Sequence, residues 1–532
     1  MRRSFPATHD VIKWPLFISS CCFAMILAIL YFFVRTLVAC FERLLEPSYI
    51  TFMRERLLQS RTYEEYVKQA RKLDTFSGVN EWKRIADSPF YNAGLIKKNL
   101  ADLVKAIESF DFDNILKCVE LCLNERNWGG VFNEALYSQC WDGSKQLVED
   151  YINTLVTAIY TLGRSIKGVE RIQRDPFKHI LEGEIFGKTA LCLSGGGSIC
   201  LQHLGVIKAL LQRGILPDIL CGTSGGSVIC AFIATRSTAE VERDFHVPKF
   251  KSLVSAFKEP WTARLKRLYQ LGEMFDVDHT YELLGEWCMG DLTFSEAYKK
   301  TGRILNVTVT PHGARADSGV ILNYITAPHV IIRSAVLSSS AFPTFFRPRP
   351  LKEKIGGRVQ ECELLKFSDG SLVTDIPKDK LYASWGVRFC IVSQVNPHIT
   401  PFFFNIKGEA GNPIIWRWGK TASFRGGFVL SALEVLIKAQ IKTLFRVIRE
   451  LEIGPTVGGS PWVSVFIQNF TGDLTLTNNR YYLYKLSKGL SDPSSLEELE
   501  WWIHEGELMA WPKIAAIAAR MRIENALKNL CK

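Results

Sequence analysis

The 532-residue sequence has no low-complexity tract, no internal repeat and no long block of basic residues. With 38 glycines, 21 prolines and 12% aromatic residues, it is neither collagen-like nor disordered. The Gly195-Gly196-Gly197 run does not lead into a GK[ST] at P-loop spacing, so a P-loop is excluded. No nucleic-acid motif accompanies the mild basic excess of +11, so nucleic acid is not an expected partner. Among its 14 cysteines no CxxC pair has zinc spacing, and many sit in apolar runs (Cys21, Cys22, Cys192, Cys221, Cys230, Cys390). These read as reduced, buried thiols, with no metal site expected.

What is present begins with Pro15 to Val34, an uncharged run bracketed by Lys13 and Arg35. A helix of about 20 apolar residues matches the hydrocarbon thickness of a bilayer. No small-x-small cleavage site follows, so the run reads as an uncleaved membrane anchor over residues 1–43. Basic residues flank both ends (Arg2, Arg3, Lys13; Arg35, Arg43), leaving open both the orientation and the choice between spanning and monotopic insertion.

Residues 44–187 show apolar positions at three- and four-residue spacing and predict a helical region. From residue 188 to 396 the texture becomes short apolar runs ended by glycine, each followed by a helical stretch. That alternation predicts an α/β domain with a mainly parallel sheet. Strands are expected at Lys188–Ser194, Asp218–Thr223, Arg303–Thr310, Glu363–Phe367 and Val387–Val395, with helices at His203–Arg213 and Gly225–Ala234. Residues 397–532 read as mixed and largely helical, including a basic amphipathic stretch at 429–449 of the kind that lies on a membrane or packs on a core.

The strongest chemical signal is Gly222-Thr223-Ser224-Gly225-Gly226, a GxSxG between an expected strand and an expected helix. The small residues at Gly222 and Gly226 allow the sharp turn that exposes a serine Oγ. The helix starting behind Ser224 offers its N-terminal dipole to developing negative charge. A second turn, Gly195-Gly196-Gly197, carries amides unobstructed by side chains, as an oxyanion hole requires. A serine nucleophile needs a base. The sequence offers downstream histidines (His246, His279, His312, His329, His398, His504) or Asp369, in a Ser-Asp-Gly turn after an apolar strand.

Together these motifs resemble the patatin-like phospholipases and lipases, and further stretches resemble their subgroup of fungal and plant lipid-droplet triacylglycerol lipases. Those stretches are Phe186–Leu191, His203-Leu204-Gly205-Val206, Ser340–Pro348, Ser393–His398 and, upstream, Trp82-Lys83, Arg126-Asn127 and Gly143-Ser144-Lys145. The resemblance implies a three-layer α/β/α fold and a Ser-Asp dyad. Ser224 would be nucleophile, Asp369 base, and the Gly195, Gly196 and Gly197 amides the oxyanion hole, with no cofactor. It implies a neutral lipid or phospholipid substrate at a membrane or lipid-droplet surface, on the endoplasmic reticulum or a droplet, with the catalytic domain facing the cytosol. The family's usual Gly-Gly-x-[Arg/Lys]-Gly loop is here altered at Ser198-Ile199-Cys200. Acyl transfer to lysophospholipid, linked in the subgroup to an H-x4-D motif, would map to His312 and Asp317. The reading from another class is a catalytically weak lipid-binding membrane protein.

Overall fold

The computed structural model of the chain describes residues 7–45, 48–166, 185–313, 319–400, 408–413, 427–457, 460–478 and 480–530. Six principal helices precede the sheet: α1 (Ala7–Leu45), α2 (Ser48–Leu58), α3 (Tyr63–Phe76), α4 (Ala93–Glu108), α5 (Phe112–Asn124) and α6 (Gln146–Ile166). Their starts are written locally. Thr62, Asn92 and Asp111 each accept from a backbone amide three residues on, satisfying donors that the first helical turn leaves open. Helix α6 buries Val148, Tyr151, Ile152, Leu155, Ala158, Ile159 and Leu162, a stripe at three- and four-residue spacing that faces the core. Among the described helices only α1 is long and apolar enough to cross a membrane, over Ile12–Phe41 with mean hydropathy 2.5.

The α/β unit follows in the order β1 (Lys188–Leu193), α7 (Gln202–Gln212), β2 (Ile219–Gly222), α8 (Gly225–Ala234), α9 (Val277–Trp287), β3 (Ile304–Pro311), β4 (Val320–Leu322), α10 (Ile332–Ser339), β5 (Arg349–Ile355), β6 (Arg358–Asp369) and β7 (Val387–Ser393). After it come α11 (Gly427–Glu450), a small pair β8 (Thr456–Val457) and β9 (Ser460–Pro461), β10 (Leu474–Leu476), α12 (Leu496–Ala510) and α13 (Ile514–Leu530). The main sheet runs β10-β7-β1-β2-β3-β6-β5, with β4 paired to β3. Pairs from β10 to β3 are parallel, and β4, β5 and β6 join antiparallel. This is the expected mainly parallel architecture.

Alternate residues of the strands bury into separate cores. Leu191, Leu193 and Leu220 join the large core, while Ala190, Cys192 and Cys221 join a smaller one with Ile376, Leu381 and Trp385. With both faces covered, the strands read as continuous apolar runs, which is why they were legible.

The sheet draws its edge strand β10 from beyond residue 396, where the sequence suggested a domain boundary. The C-terminal helices are equally integral. Helix α12 crosses α7 so closely that a Cβ on Gly205 would lie 1.8 Å from the Ile503 carbonyl oxygen. Lys513, at the start of the last helical stretch, forms a buried 2.7 Å ion pair with Glu134 of the N-terminal helical region.

Candidate active site

Strand order brings the site together. Gly222, the last residue of β2, pairs with Val307, and Asp369, the last of β6, pairs with Val309 on the other side of β3. The turn after β2 and the end of β6 therefore flank β3 at one level, two strand spacings or about 10 Å apart in backbone, a gap that two side chains can close.

Ser224 sits at φ 51, ψ −127, a conformation a non-glycine residue holds only when its surroundings impose it. The Ser224 amide donates to the Ser339 hydroxyl at 2.9 Å, which donates in turn to the Thr308 carbonyl at 2.7 Å. The Ser224 carbonyl accepts from the Ser227 amide at 2.9 Å and from its hydroxyl at 2.6 Å. The motif glycines are there for space. A Cβ on Gly222 would meet Ser227 Cα at 2.5 Å, and one on Gly226 would meet the Leu193 carbonyl oxygen at 2.3 Å. Ser224 thus precedes α8 with its side chain turned out of the helix path.

Asp369 is 1% exposed. Burial pushes its carboxyl up to about 6, against hydrogen bonds from the Ser371 amide, the Ser371 hydroxyl and the Ser224 hydroxyl that pull it down. Its Oδ1 accepts from the Ser371 amide at 2.8 Å, which fixes the carboxyl in the turn.

The glycine turn is divided in its loyalties. The Gly195 amide donates to Asp375 Oδ1 at 3.2 Å, so it is held inward and is not open to a substrate oxygen. This corrects the expectation that all three glycine amides face the reaction. The Gly196 and Gly197 amides find no acceptor among the described residues, and both residues have positive φ, 152° and 58°. The loop's far side is closed by the Ser198 amide on the Gly489 carbonyl at 2.9 Å.

Asp375 is a functional candidate that sequence reasoning missed. It is 1% exposed, and its Oδ2 accepts from Asn396 Nδ2 at 2.8 Å and Gln394 Nε2 at 3.4 Å. Burial pushes it up to about 7, with the Asp369 charge adding to the rise. The available signal was a second carboxylate in the otherwise uncharged stretch from Phe367 to Pro377.

None of the candidate histidines is hydrogen-bonded to Ser224 or Asp369. His246 caps a helix at the Lys249 amide, His279 reaches the Ser255 carbonyl, and His504 faces Glu507. His398 is pushed down to about 4 by burial between Phe466 and Phe470. His312 donates its amide to the Lys366 carbonyl at 2.8 Å and has Nδ1 3.4 Å from Ser368 Oγ. Its motif partner Asp317 lies outside the described residues.

From Ser224 a cavity of about 160 Å³ opens between α8 and α9, walled by Val228, Phe275, Leu283, Leu284, Phe345 and Phe346. Chemically, the arrangement offers a half-buried hydroxyl beside a carboxyl of raised basicity, two open amides and an apolar channel. That suits acyl transfer from an apolar ester.

Residues 191–381 match the family described as patatin-like phospholipase, and residues 48–181 match a domain of unknown function, DUF3336. The chain is 36% identical over 531 residues to the triacylglycerol lipase ptl2 of Schizosaccharomyces pombe, covering 98% of this chain and 82% of that protein. It is 37% identical over 539 residues to a patatin-like phospholipase domain-containing protein of Lodderomyces elongisporus, covering 98% of this chain and 64% of that one. The crystal structure of VipD from Legionella pneumophila aligns at 15% identity over 39% of this chain and 50% of its own, with a TM-score of 0.22.

Proposed function

This chain belongs to the patatin-like phospholipases and is a lipid ester hydrolase, and from that premise we propose that it is a triacylglycerol lipase working through Ser224 and Asp369. The observation that carries the reading is the pairing of a strained serine at the start of α8 with a buried carboxyl pushed up to about 6, at the mouth of an apolar cavity.

In this scheme the ester carbonyl lies against Ser224 with its acyl chain in the cavity. Asp369 accepts the hydroxyl proton as Oγ bonds to the carbonyl carbon, and the oxyanion forms against the Gly196 and Gly197 amides and the start of α8. Collapse breaks the bond to the alcohol oxygen. That oxygen takes the proton from Asp369 and leaves as diacylglycerol. Asp369 then takes a proton from water as the water oxygen bonds to the acyl carbon, and on collapse the bond to Oγ breaks, Ser224 Oγ takes that proton back from Asp369, and the fatty acid leaves. The scheme draws on no metal or cofactor. Its demand on Asp369 is modest, because a carboxyl near 6 is ionised at neutral pH yet basic enough to share a proton.

The triacylglycerol substrate is supported by the fission-yeast relative, a triacylglycerol lipase by name. A phospholipid substrate is the second reading, supported by the family description. The insoluble substrate and the apolar α1 support work at a membrane or droplet surface. The 13 described cysteines, all free, support a reducing, cytosol-facing compartment for the catalytic domain.

The test is fatty-acid release from emulsified triolein and from phosphatidylcholine vesicles by the full chain, Ser224→Ala and Asp369→Asn. Loss in both variants on the emulsion is the expected result. Activity in Ser224→Ala equal to that of the parent protein would sink the reading.

A further inference from the structure

Helix α1 does not stand away from the protein. Its Tyr31, Val34 and Val38 are buried with Ile437 of α11, and Leu27 and Ile441 pack against them. Arg35 Nη1 lies 3.1 Å from Glu434 Oε1, and the Lys438 ammonium sits 5.4 Å over the Tyr31 ring. Nearer the start of α1, Phe17 packs with Leu444 and Phe445 onto Ile448, Ile453 and Val463, its ring 6.2 Å from that of Trp462. As contacts on α1 step down from 35 through 31 to 17, those on α11 rise from 434 through 438 to 445, so the helices are antiparallel. The contact positions 27, 31, 34, 38 and 434, 437, 441, 444, 448 alternate by three and four, the spacing of a two-helix seam.

Helix α1 is tied to the body at both ends, and α11 at its C-terminal end. Helix α1 runs almost directly into α2, whose Ile50, Met53 and Leu57 lie in the large core, and its early turns rest on Trp462 and Val463. Helix α11 packs its Ile448 on Val463 and is followed by Gln468, whose side chain accepts from the Asp375 amide and donates to the Ser371 carbonyl beside the active site. The 24 residues of α11 extend about 36 Å along α1, as long as a bilayer's hydrocarbon is thick. Were α1 to cross a membrane, its two ends, both fastened to one globular body, would have to lie on opposite sides of it. That geometry is impossible.

The exposed faces show how the pair meets lipid instead. Helix α1 exposes Phe23, Met25, Ile26, Ile29 and Phe33, each by more than half, and α11 adds Leu433, Leu436 and Val447. The exposed cations Lys442, Arg446 and Arg449 of α11 lie roughly 140° around the helix from those apolar residues, at 100° per residue. An apolar face backed by a cationic one is the pattern of a helix lying in the membrane interface. In a crossing helix, Lys442 and Arg446 would each lower the insertion equilibrium by roughly a hundredfold.

We infer that α1 and α11 form a single in-plane anchor that sinks into one leaflet of an anionic phospholipid bilayer. Helix α1 lies among the acyl chains, Lys442, Arg446 and Arg449 lie against headgroup phosphates, and neither helix crosses. This leaves both chain ends and the catalytic sheet on one side of the membrane. The inference stands on the helix pair and is independent of the chemistry assigned to Ser224.

The test uses the full chain with epitope tags at both ends, in sealed microsomes treated with protease and no detergent. Loss of both tags together is expected. Protection of the N-terminal tag with loss of the C-terminal one, or the reverse, means that a segment crosses and overturns the inference. In a second arm, the purified protein is floated with phosphatidylcholine vesicles with and without phosphatidylserine. The combined variant Lys442→Glu, Arg446→Glu, Arg449→Glu should bind the phosphatidylserine vesicles more than tenfold more weakly, since each basic residue near an anionic surface is worth about fivefold, with its thermal midpoint unchanged. Unweakened binding overturns the headgroup assignment. Neither arm reads ester hydrolysis, so a failure here is separate from a failure of the lipase reading.

Discussion

The amide of Gly195 donates to Oδ1 of Asp375, a carboxylate 180 residues further along the chain, at 3.2 Å. Through that bond and the one from Asn396, a buried acid that does not touch Ser224 fixes the shape of the glycine turn beside it. We expect Asp375→Ala to lower kcat/KM on a soluble short-chain ester by 10- to 100-fold, roughly the cost of loosening one oxyanion donor. It should also cost about 2 kcal/mol of stability, because buried donors on Gly195 and Asn396 lose their acceptor. Steady-state kinetics with urea unfolding separates the two effects.

Ser224 stores strain that its function requires. Replacing it with alanine should reduce hydrolysis by about six orders of magnitude. Ser224→Gly should be as inactive but more stable than the parent protein by about 1 kcal/mol, since glycine adopts φ 51 without penalty. Denaturant midpoints of the two variants check this, and equal midpoints would mean that the turn carries no strain.

The pH dependence follows from the two buried carboxyls. Asp369 acts as base only when ionised, so kcat/KM should fall toward acid with an apparent pKa of about 6. In stability the sign is opposite. A carboxyl raised to about 6 in the fold, from about 3.9 when unfolded, contributes stability that is present below pH 4 and lost as pH rises through 6. Asp369→Asn should therefore gain stability relative to the parent protein between pH 4 and pH 8. Thermal midpoints measured across that range give the readout.

Cys200 packs beside Gly225, where a Cβ on the glycine would meet its Sγ at 2.9 Å. Burial pushes the thiol up to about 12, so it has almost no thiolate at neutral pH. Treatment with iodoacetamide should leave ester hydrolysis at the untreated level, and mass spectrometry should find Cys200 unmodified.

Gly205 and Gly214 make a contrasting pair. Gly205→Ala places a methyl 1.8 Å from the Ile503 carbonyl oxygen and should cost 4 kcal/mol or more, about the upper range for single substitutions. Gly214, at φ 65 with open space around it, should cost only about 1 kcal/mol as alanine. Soluble yield and chemical denaturation distinguish them.

Much of the α/β core is legible in the sequence. A strand buried on both faces is a continuous apolar run, and the runs at Lys188, Ile219, Ile304 and Val387 all became strands of the sheet. The turns after them were marked by glycine because close backbone approach forbids a side chain, as at Gly222 and Gly226. Other parts were not readable. The edge strand β10 is three residues long and has no periodicity to reveal it. Ser339, whose hydroxyl holds the Ser224 amide, looks like any serine near a helix end.

The sequence by itself determined which residues had the means: a small-residue turn around Ser224, a glycine run at 195–197, an acid after a strand at Asp369, and an apolar segment long enough for lipid. Those properties are local, set by side-chain size, backbone freedom and hydropathy within a few residues. Only the tertiary structure decided that Gly195 turns its amide to Asp375, that no candidate histidine hydrogen-bonds to Ser224, and that α1 lies along α11. Each of these depends on contacts across scores or hundreds of residues, where burial and the need to satisfy buried polar groups choose among partners that the sequence leaves equivalent.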